Sequence, residues 1–118
     1  IKIGGNDILS AYVASLVGAD LLINLSDVDG FFDRDPKDNP DAKLIAVIHK
    51  IDSALESIAG GAGTSRGTGG MRAKLTAAKI ATDAGVPMVI ANGANPDILY
   101  DICEGRQTGT LFMPSLSE

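Results

Sequence analysis

A glycine-rich segment followed by a lysine is the part of this sequence best suited to chemistry. Residues 60–70 read GGAGTSRGTGG, and residues 71–84 that follow are good helix formers. Free backbone N–H groups at a helix start attract anions, and glycine lets the backbone approach a phosphate closely. Lys74 would place an ammonium beside the same phosphates, where it could stabilise a transferring phosphoryl group. The alternative is a flexible loop followed by a solvated lysine.

The established glycine motifs do not describe this segment. In a P-loop the lysine directly follows the last glycine, whereas Lys74 comes four residues after Gly70. Counted from Gly67 and Gly69, the third glycine of a G-x-G-x-x-G fingerprint would be Arg72. The sequence therefore argues against both a Walker loop and a Rossmann dinucleotide site.

Polar residues also stand where a short apolar run ends. Ser26 and Asp27 directly follow residues 21–25 (LLINL), a short run that is apolar except for Asn24. In open α/β sheets ligands bind beyond the carboxyl ends of the strands, so this pair is placed to touch one. Asp27 and Asp29 could equally shape the turn before Gly30.

A second polar pair, Asn6 and Asp7, opens the first predicted helix, where the plain interpretation is a helix cap. Asn6 could instead hold a small polar substrate, and Asp7 could orient nearby lysines by its charge, but spacing alone supports neither role. We predict no metal-ligating residues. With Asp33 as the first ligand of an EF-hand, Leu44 would occupy the position of the bidentate glutamate.

Short strands alternating with helices must position these groups. The first helix begins at Asn6 or Asp7 and runs to Gly18, with apolar residues spaced by three and four: Leu9, Tyr12, Val13, Leu16 and Val17. Strands are predicted at 21–25, 44–48, 88–91 and 110–113, and further helices at 51–59, 71–84 and 96–104. The pattern predicts an α/β fold, with three α/β/α layers and a mostly parallel sheet.

Composition narrows the class of protein. A chain of 118 residues is one domain or part of one, and its net charge of -5 argues against a nucleic-acid partner. The longest apolar run is far too short for a membrane span. A single cysteine, Cys103, cannot form an internal disulfide, so we expect a cytoplasmic location and a buried or half-buried structural thiol.

Several segments together resemble the amino acid kinase family and, within it, the glutamate 5-kinases. The matching segments are residues 5–7, 9–11, 19–22, 26–30, 35–36, 39–42, 67–71 with Lys74, and 109–112. The resemblance covers nearly the whole chain. The D-P-x-x-N-P-x-A stretch is shared with uridylate kinases and aspartokinases, whereas Asn-Asp before Leu-Ser-Ala and Gly-Thr-Gly-Gly-Met-x-x-Lys are more discriminating.

The resemblance implies that residues 1–118 are the nucleotide-binding half of such a kinase domain. It would transfer a phosphoryl group from ATP, with Mg²⁺ carried by the nucleotide, to the γ-carboxylate of L-glutamate in proline biosynthesis. We expect a homo-oligomer with neither a nucleic-acid nor a membrane partner. Because the first half of the family's domain is missing, we expect the chain to be inactive or nearly so alone. The alternatives are a kinase of another small acidic substrate and a non-catalytic nucleotide-binding module.

The resemblance also implies a role for each matching residue. Asn6 would bind glutamate and Asp7 would organise the catalytic lysines. The nucleotide would contact Ser26, Asp27, Thr68, Gly69, Gly70, Met71, Arg72, Ala73 and Lys74, with Lys74 stabilising the transferring phosphoryl group. The sequence departs from the family pattern in two places: Gly5 stands where aspartate is common, and Arg72-Ala73 replaces a common Ser-Thr or Thr-Thr.

Overall fold

The fold consists of short strands and helices in near alternation. The computed structural model describes residues 7–34, 39–60, 68–95, 97–106 and 108–114. In chain order the elements are α1 (Asp7–Val17), β1 (Leu22–Ser26), β2 (Val47–Ile48), α2 (Ser53–Gly60), α3 (Thr68–Asp83), β3 (Met88–Asn92), α4 (Ile98–Cys103) and β4 (Thr110–Phe112). Every helix and strand expected from the sequence is present, although several bounds differ.

The strands form one mixed sheet in the order β1-β3-β4-β2. The pairs β1–β3 and β2–β4 are parallel, and β3–β4 is antiparallel. In the first pair Asn24 stands opposite Ile90. The predicted α/β class with a mostly parallel sheet is confirmed.

Helices cover both faces of this sheet. Met88 and Ile90 of β3 pack with buried residues of α1, α2 and α3. Val89 and Ala91 alternate with them along the strand and pack on the opposite face against Ile98 of α4. The arrangement therefore has the three α/β/α layers that the sequence predicts.

Helix α1 packs on a different face from the one its apolar stripe suggests. The buried residues of α1 are Ala11 and Ala14, and α3 contributes three fully buried alanines to the same cluster: Ala77, Ala78 and Ala81. The stripe, comprising Leu9, Tyr12, Val13, Leu16 and Val17, is exposed, and Leu16 is 85% exposed. Alanine faces let two helix backbones approach closely, so the small residues form the contact between α1 and α3.

The boundaries of two elements and the burial of one side chain also differ from what the sequence predicts. Helix α3 begins at Thr68, so Gly69 and Gly70 lie in its first turn, where the backbone N–H groups have no partner within the helix. Strand β2 is limited to Val47–Ile48, since the preceding residues bridge back to the loop after β1, where Phe32 pairs with Leu44. Cys103 is exposed, which corrects the expectation of a buried thiol.

A buried threonine fixes the loop that follows β1. Thr110 is fully buried; its Oγ1 accepts a hydrogen bond from the Phe31 N–H (2.8 Å) and donates one to the Ile45 carbonyl (2.6 Å). The Phe31 ring meets Phe112 edge-on at 6.4 Å. These contacts fix where the chain goes after Ser26 and Asp27.

Gly109 offers a test of how tightly the β3–β4 junction is packed. Its φ is +70°, and an added Cβ would overlap the Ile90 carbonyl. Gly105→Ala is the matched control, because Gly105 has φ +79° and open space around the added methyl. We expect Gly105→Ala to cost about 1 kcal/mol of unfolding free energy and Gly109→Ala a further ~1–3 kcal/mol for overpacking, measured by urea denaturation. Equal losses would contradict this packing.

Candidate active site

Three polar side chains meet between α1, β1 and α3. The Lys74 ammonium lies 3.0 Å from Asn24 Oδ1 and 3.4 Å from Asp7 Oδ1. The Asn24 amide nitrogen donates to the same Asp7 oxygen at 2.6 Å. The Lys74 and Asp7 side chains are only 14% and 20% exposed. We call Asp7, Asn24 and Lys74 the polar cluster.

The alanine contact between the helices brings the two charges together. Asp7, Ala11 and Ala14 share one face of α1, since residues four and seven apart lie nearly above one another. Lys74 and Ala78 share a face of α3 by the same spacing. Packing these faces together places the two charged residues at the same end of the helix pair. Side chains on a helix also lean toward its N-terminus, so the long Lys74 side chain reaches back toward the start of α3.

Asn24 is the member of the polar cluster that sequence reasoning missed. It is 9% exposed and lies at the centre of β1. Leu22 packs against the core shared with α1 and α3, and alternation puts Asn24 on that face. The available signal was a polar residue interrupting the apolar run of residues 21–25. Burial of an amide in such a strand is costly unless it is hydrogen-bonded, and here both ends of the amide are.

Ser26 lies on the same strand face as Asn24, because it is two residues further along β1, or roughly 7 Å. Its hydroxyl donates weakly to Asp27 Oδ1 at 3.4 Å and accepts from the Val28 N–H at 3.3 Å. Asp27 is exposed, whereas Asp29 accepts a hydrogen bond from the Asn92 amide at 3.1 Å. Asp29 therefore ties the loop after β1 to the end of β3, while Asp27 faces solvent.

The glycine-bearing start of α3 lies on the same side of the sheet as Ser26, because Lys74 contacts Asn24. Among the described residues, no heavy atom outside α3 itself stands within 4 Å of the position that a Cβ would occupy at Gly70. Met71 is partly buried and packs against the core, and Arg72 is exposed. Asn6 lies outside the described residues.

Within the described part of the chain, the polar cluster leaves one N–H donor of the Lys74 ammonium available. An ammonium carries three N–H donors, and Asn24 and Asp7 accept two of them. The charges of Asp7 and Lys74 cancel at long range, but a ligand atom beside the third N–H donor meets the cation first. The start of α3 adds the positive end of a helix dipole. The arrangement suits an anion at the carboxyl end of β1.

The chain is similar in sequence to one protein family and similar in fold to solved structures. The model of the amino acid kinase family matches residues 1–92. A glutamate 5-kinase of Clostridium perfringens is 52% identical over the whole chain, which covers 44% of that protein. A glutamate 5-kinase of Caldanaerobacter subterraneus is 57% identical over 97% of the chain and 31% of the relative. The fold resembles the crystal structure of uridylate kinase from Archaeoglobus fulgidus (TM-score 0.67, 24% identity, 90% of this chain and 45% of that one). The chain thus spans less than half the length of the curated relatives it matches.

A double-mutant cycle on Asp7 and Lys74 tests whether the polar cluster holds the helices together. Removing one partner of a half-buried charged hydrogen bond costs about 1–3 kcal/mol, so we expect the cycle of alanine substitutions to give a coupling of at least ~1 kcal/mol in urea denaturation.

The matched control is Glu56 and Lys79, which pair between α2 and α3 at 2.9 Å with side chains 48% and 49% exposed. Hydrogen bonding to Glu56 raises the pKa of Lys79 above 10.5, so any stability from this pair is present at neutral pH and is lost as the pH rises through that raised value. We expect its coupling to be the smaller and to fade with added salt. A larger coupling in the control pair would contradict the assignment.

Proposed function

The chain belongs to the amino acid kinase family, and from that membership we propose that it is the nucleotide-binding half of a glutamate 5-kinase domain. The proposed reaction moves the γ-phosphoryl group of ATP to the γ-carboxylate of L-glutamate, giving L-glutamyl 5-phosphate for proline biosynthesis. The observation that carries the proposal is the Lys74 ammonium, held by Asp7 and Asn24 near the start of α3.

The nucleotide would lie across the carboxyl end of β1 and the start of α3. Backbone N–H groups of residues 68–71, which have no partner within the helix, would bind its phosphates. Lys74 would contact the transferring phosphoryl group with its free N–H donor. Ser26 and Asp27, at the end of the same strand, would contact the rest of the nucleotide. Mg²⁺ enters as the counterion of the phosphates, which is how magnesium usually reaches such sites.

The acceptor would approach from the Asn6 side of α1. Asn6 directly precedes Asp7 in the sequence, so a glutamate bound there would lie near the polar cluster. A carboxylate acceptor is already ionised at neutral pH. The reaction therefore needs no nucleophile from the protein, and positioning together with charge neutralisation suffices. The rest of the glutamate pocket would come from polypeptide beyond these 118 residues.

The relatives support glutamate over another acidic substrate, because those matching at 52% and 57% identity are named glutamate 5-kinases. They are more than twice the length of this chain, so we expect these 118 residues alone to release little or no ADP. Within the described residues no helix is long and apolar enough to cross a membrane. A cytoplasmic enzyme remains part of the proposal.

Nucleotide binding by the chain itself tests the first half of the proposal. We expect Lys74→Ala to weaken MgATP binding by roughly tenfold or more, because a charge-assisted hydrogen bond to phosphate is lost. Lys79→Ala is the matched control, a lysine of the same helix with its side chain in a solvent-exposed pair. Isothermal titration calorimetry measures both. If the two variants bind MgATP with equal affinity, the proposal that Lys74 contacts the nucleotide phosphates is wrong.

Catalysis is tested in a chimera in which this chain replaces the matching segment of the Clostridium perfringens relative. We expect glutamate-dependent ADP release from the chimera. Lys74→Ala should lower kcat by about 10²–10³, the usual loss for one transition-state donor. Asn6→Ala should instead raise the KM for glutamate and leave the KM for ATP unchanged. If the 118-residue chain alone releases ADP in a glutamate-dependent way, the proposal that the rest of the glutamate pocket lies beyond these residues is wrong.

A further inference from the structure

Asn24 makes contacts that a strand residue does not need for folding. It stands in a strand between the apolar residues Ile23 and Leu25, and a leucine, which has the same branched shape, would satisfy the sheet equally well. Its amide instead spans two ionised groups, with the carbonyl on the Lys74 ammonium and the NH₂ on the Asp7 carboxylate. Only one orientation of the amide serves both, because the reverse would point NH₂ at the cation and oxygen at the anion.

We propose that Asn24 is a positioning residue that holds the Lys74 ammonium toward the nucleotide without adding charge to the site. The inference rests on the proposed nucleotide-binding function. The Asp7 contact to Lys74 is the longer of the two, at 3.4 Å against 3.0 Å for Asn24. Asn24 is therefore the nearer anchor of the ammonium, and it also fixes the carboxylate that forms the ion pair.

The neutrality of the amide matters as much as its geometry. Asp7 already balances the charge of Lys74, so a second carboxylate at position 24 would leave the polar cluster with a net negative charge. Repulsion between that charge and a triphosphate would oppose binding, and the low exposure of the polar cluster limits screening by solvent. An amide supplies the acceptor for the ammonium and the donor for Asp7 while leaving the local charge unchanged.

Two substitutions separate position from charge. Asn24→Leu removes both hydrogen-bonding groups and keeps the branched shape, whereas Asn24→Asp keeps an acceptor for Lys74 and adds a negative charge. The first measurement is the order parameter of the Lys74 ammonium by ¹⁵N relaxation in the nucleotide-free chain, with the exposed Lys79 ammonium as an internal reference. The second is the affinity for MgATP by calorimetry, and the third is the thermal midpoint.

We expect Asn24→Leu to lower the order of the Lys74 ammonium and leave that of Lys79 unchanged. The same variant should bind MgATP roughly tenfold more weakly and melt at a lower temperature, because Lys74 and Asp7 each lose a hydrogen-bond partner. Asn24→Asp should keep Lys74 ordered and still bind MgATP more weakly. A purely structural role predicts instead that Lys74 stays as ordered as in the parent chain in both variants and that affinity falls only in proportion to the thermal midpoint.

The proposal is overturned if Asn24→Leu leaves the Lys74 ammonium as ordered as in the parent chain. It is also overturned if this variant binds MgATP as the parent does. Should the parent chain bind no MgATP, the proposed nucleotide site fails, and the order of the Lys74 ammonium in the free chain still decides whether Asn24 positions it.

Discussion

The hydrogen bonds among Asp7, Asn24 and Lys74 constrain how α1, α3 and β1 pack against one another. Each residue comes from a different element, and two of them carry opposite charges at low exposure. A half-buried charge is tolerable only with its partners in place. The packing of α1 on α3, and of both on β1, must therefore be accurate enough to close hydrogen bonds of 2.6–3.4 Å. Alanine faces achieve this because they leave few alternative arrangements of side chains.

Local sequence patterns predicted which segments form helices and strands, but they did not predict which face of α1 is buried. Its sequence is apolar on more than one side, since Ala11 and Ala14 stand opposite the larger residues of the stripe. Apolar periodicity identifies the helix, yet it cannot choose between a face of large residues and a face of small ones. The choice depends on α3, whose buried residues include alanines at 77, 78 and 81. A pattern within one segment of the sequence does not show this complementarity with a distant segment.

The sequence predicted the two charged residues of the candidate site, Asp7 and Lys74, but it did not predict the neutral one, Asn24. Lys74 and Asp7 were identified by residue type, by their place at predicted helix starts and by a family resemblance, and the structure brings them together. Asn24 carried only the signal of an interrupted apolar run, which has no functional meaning until the strand is paired and its faces are known. The early start of α3 was missed for a related reason: glycine-rich sequence predicts a loop, whereas the first turn of a helix accepts glycine.

The charge of the chain shows why local arrangement outweighs composition in such a site. A protein of net charge -5 repels an anionic nucleotide at long range. Salt screens charges beyond about 8 Å at physiological ionic strength, so the potential at a bound phosphate is set by the few groups beside it. Here these are the ammonium of Lys74, the carboxylate that balances it and the start of α3. An acidic protein can therefore bind a more acidic ligand, provided that the cation among these groups is the one nearest the phosphate.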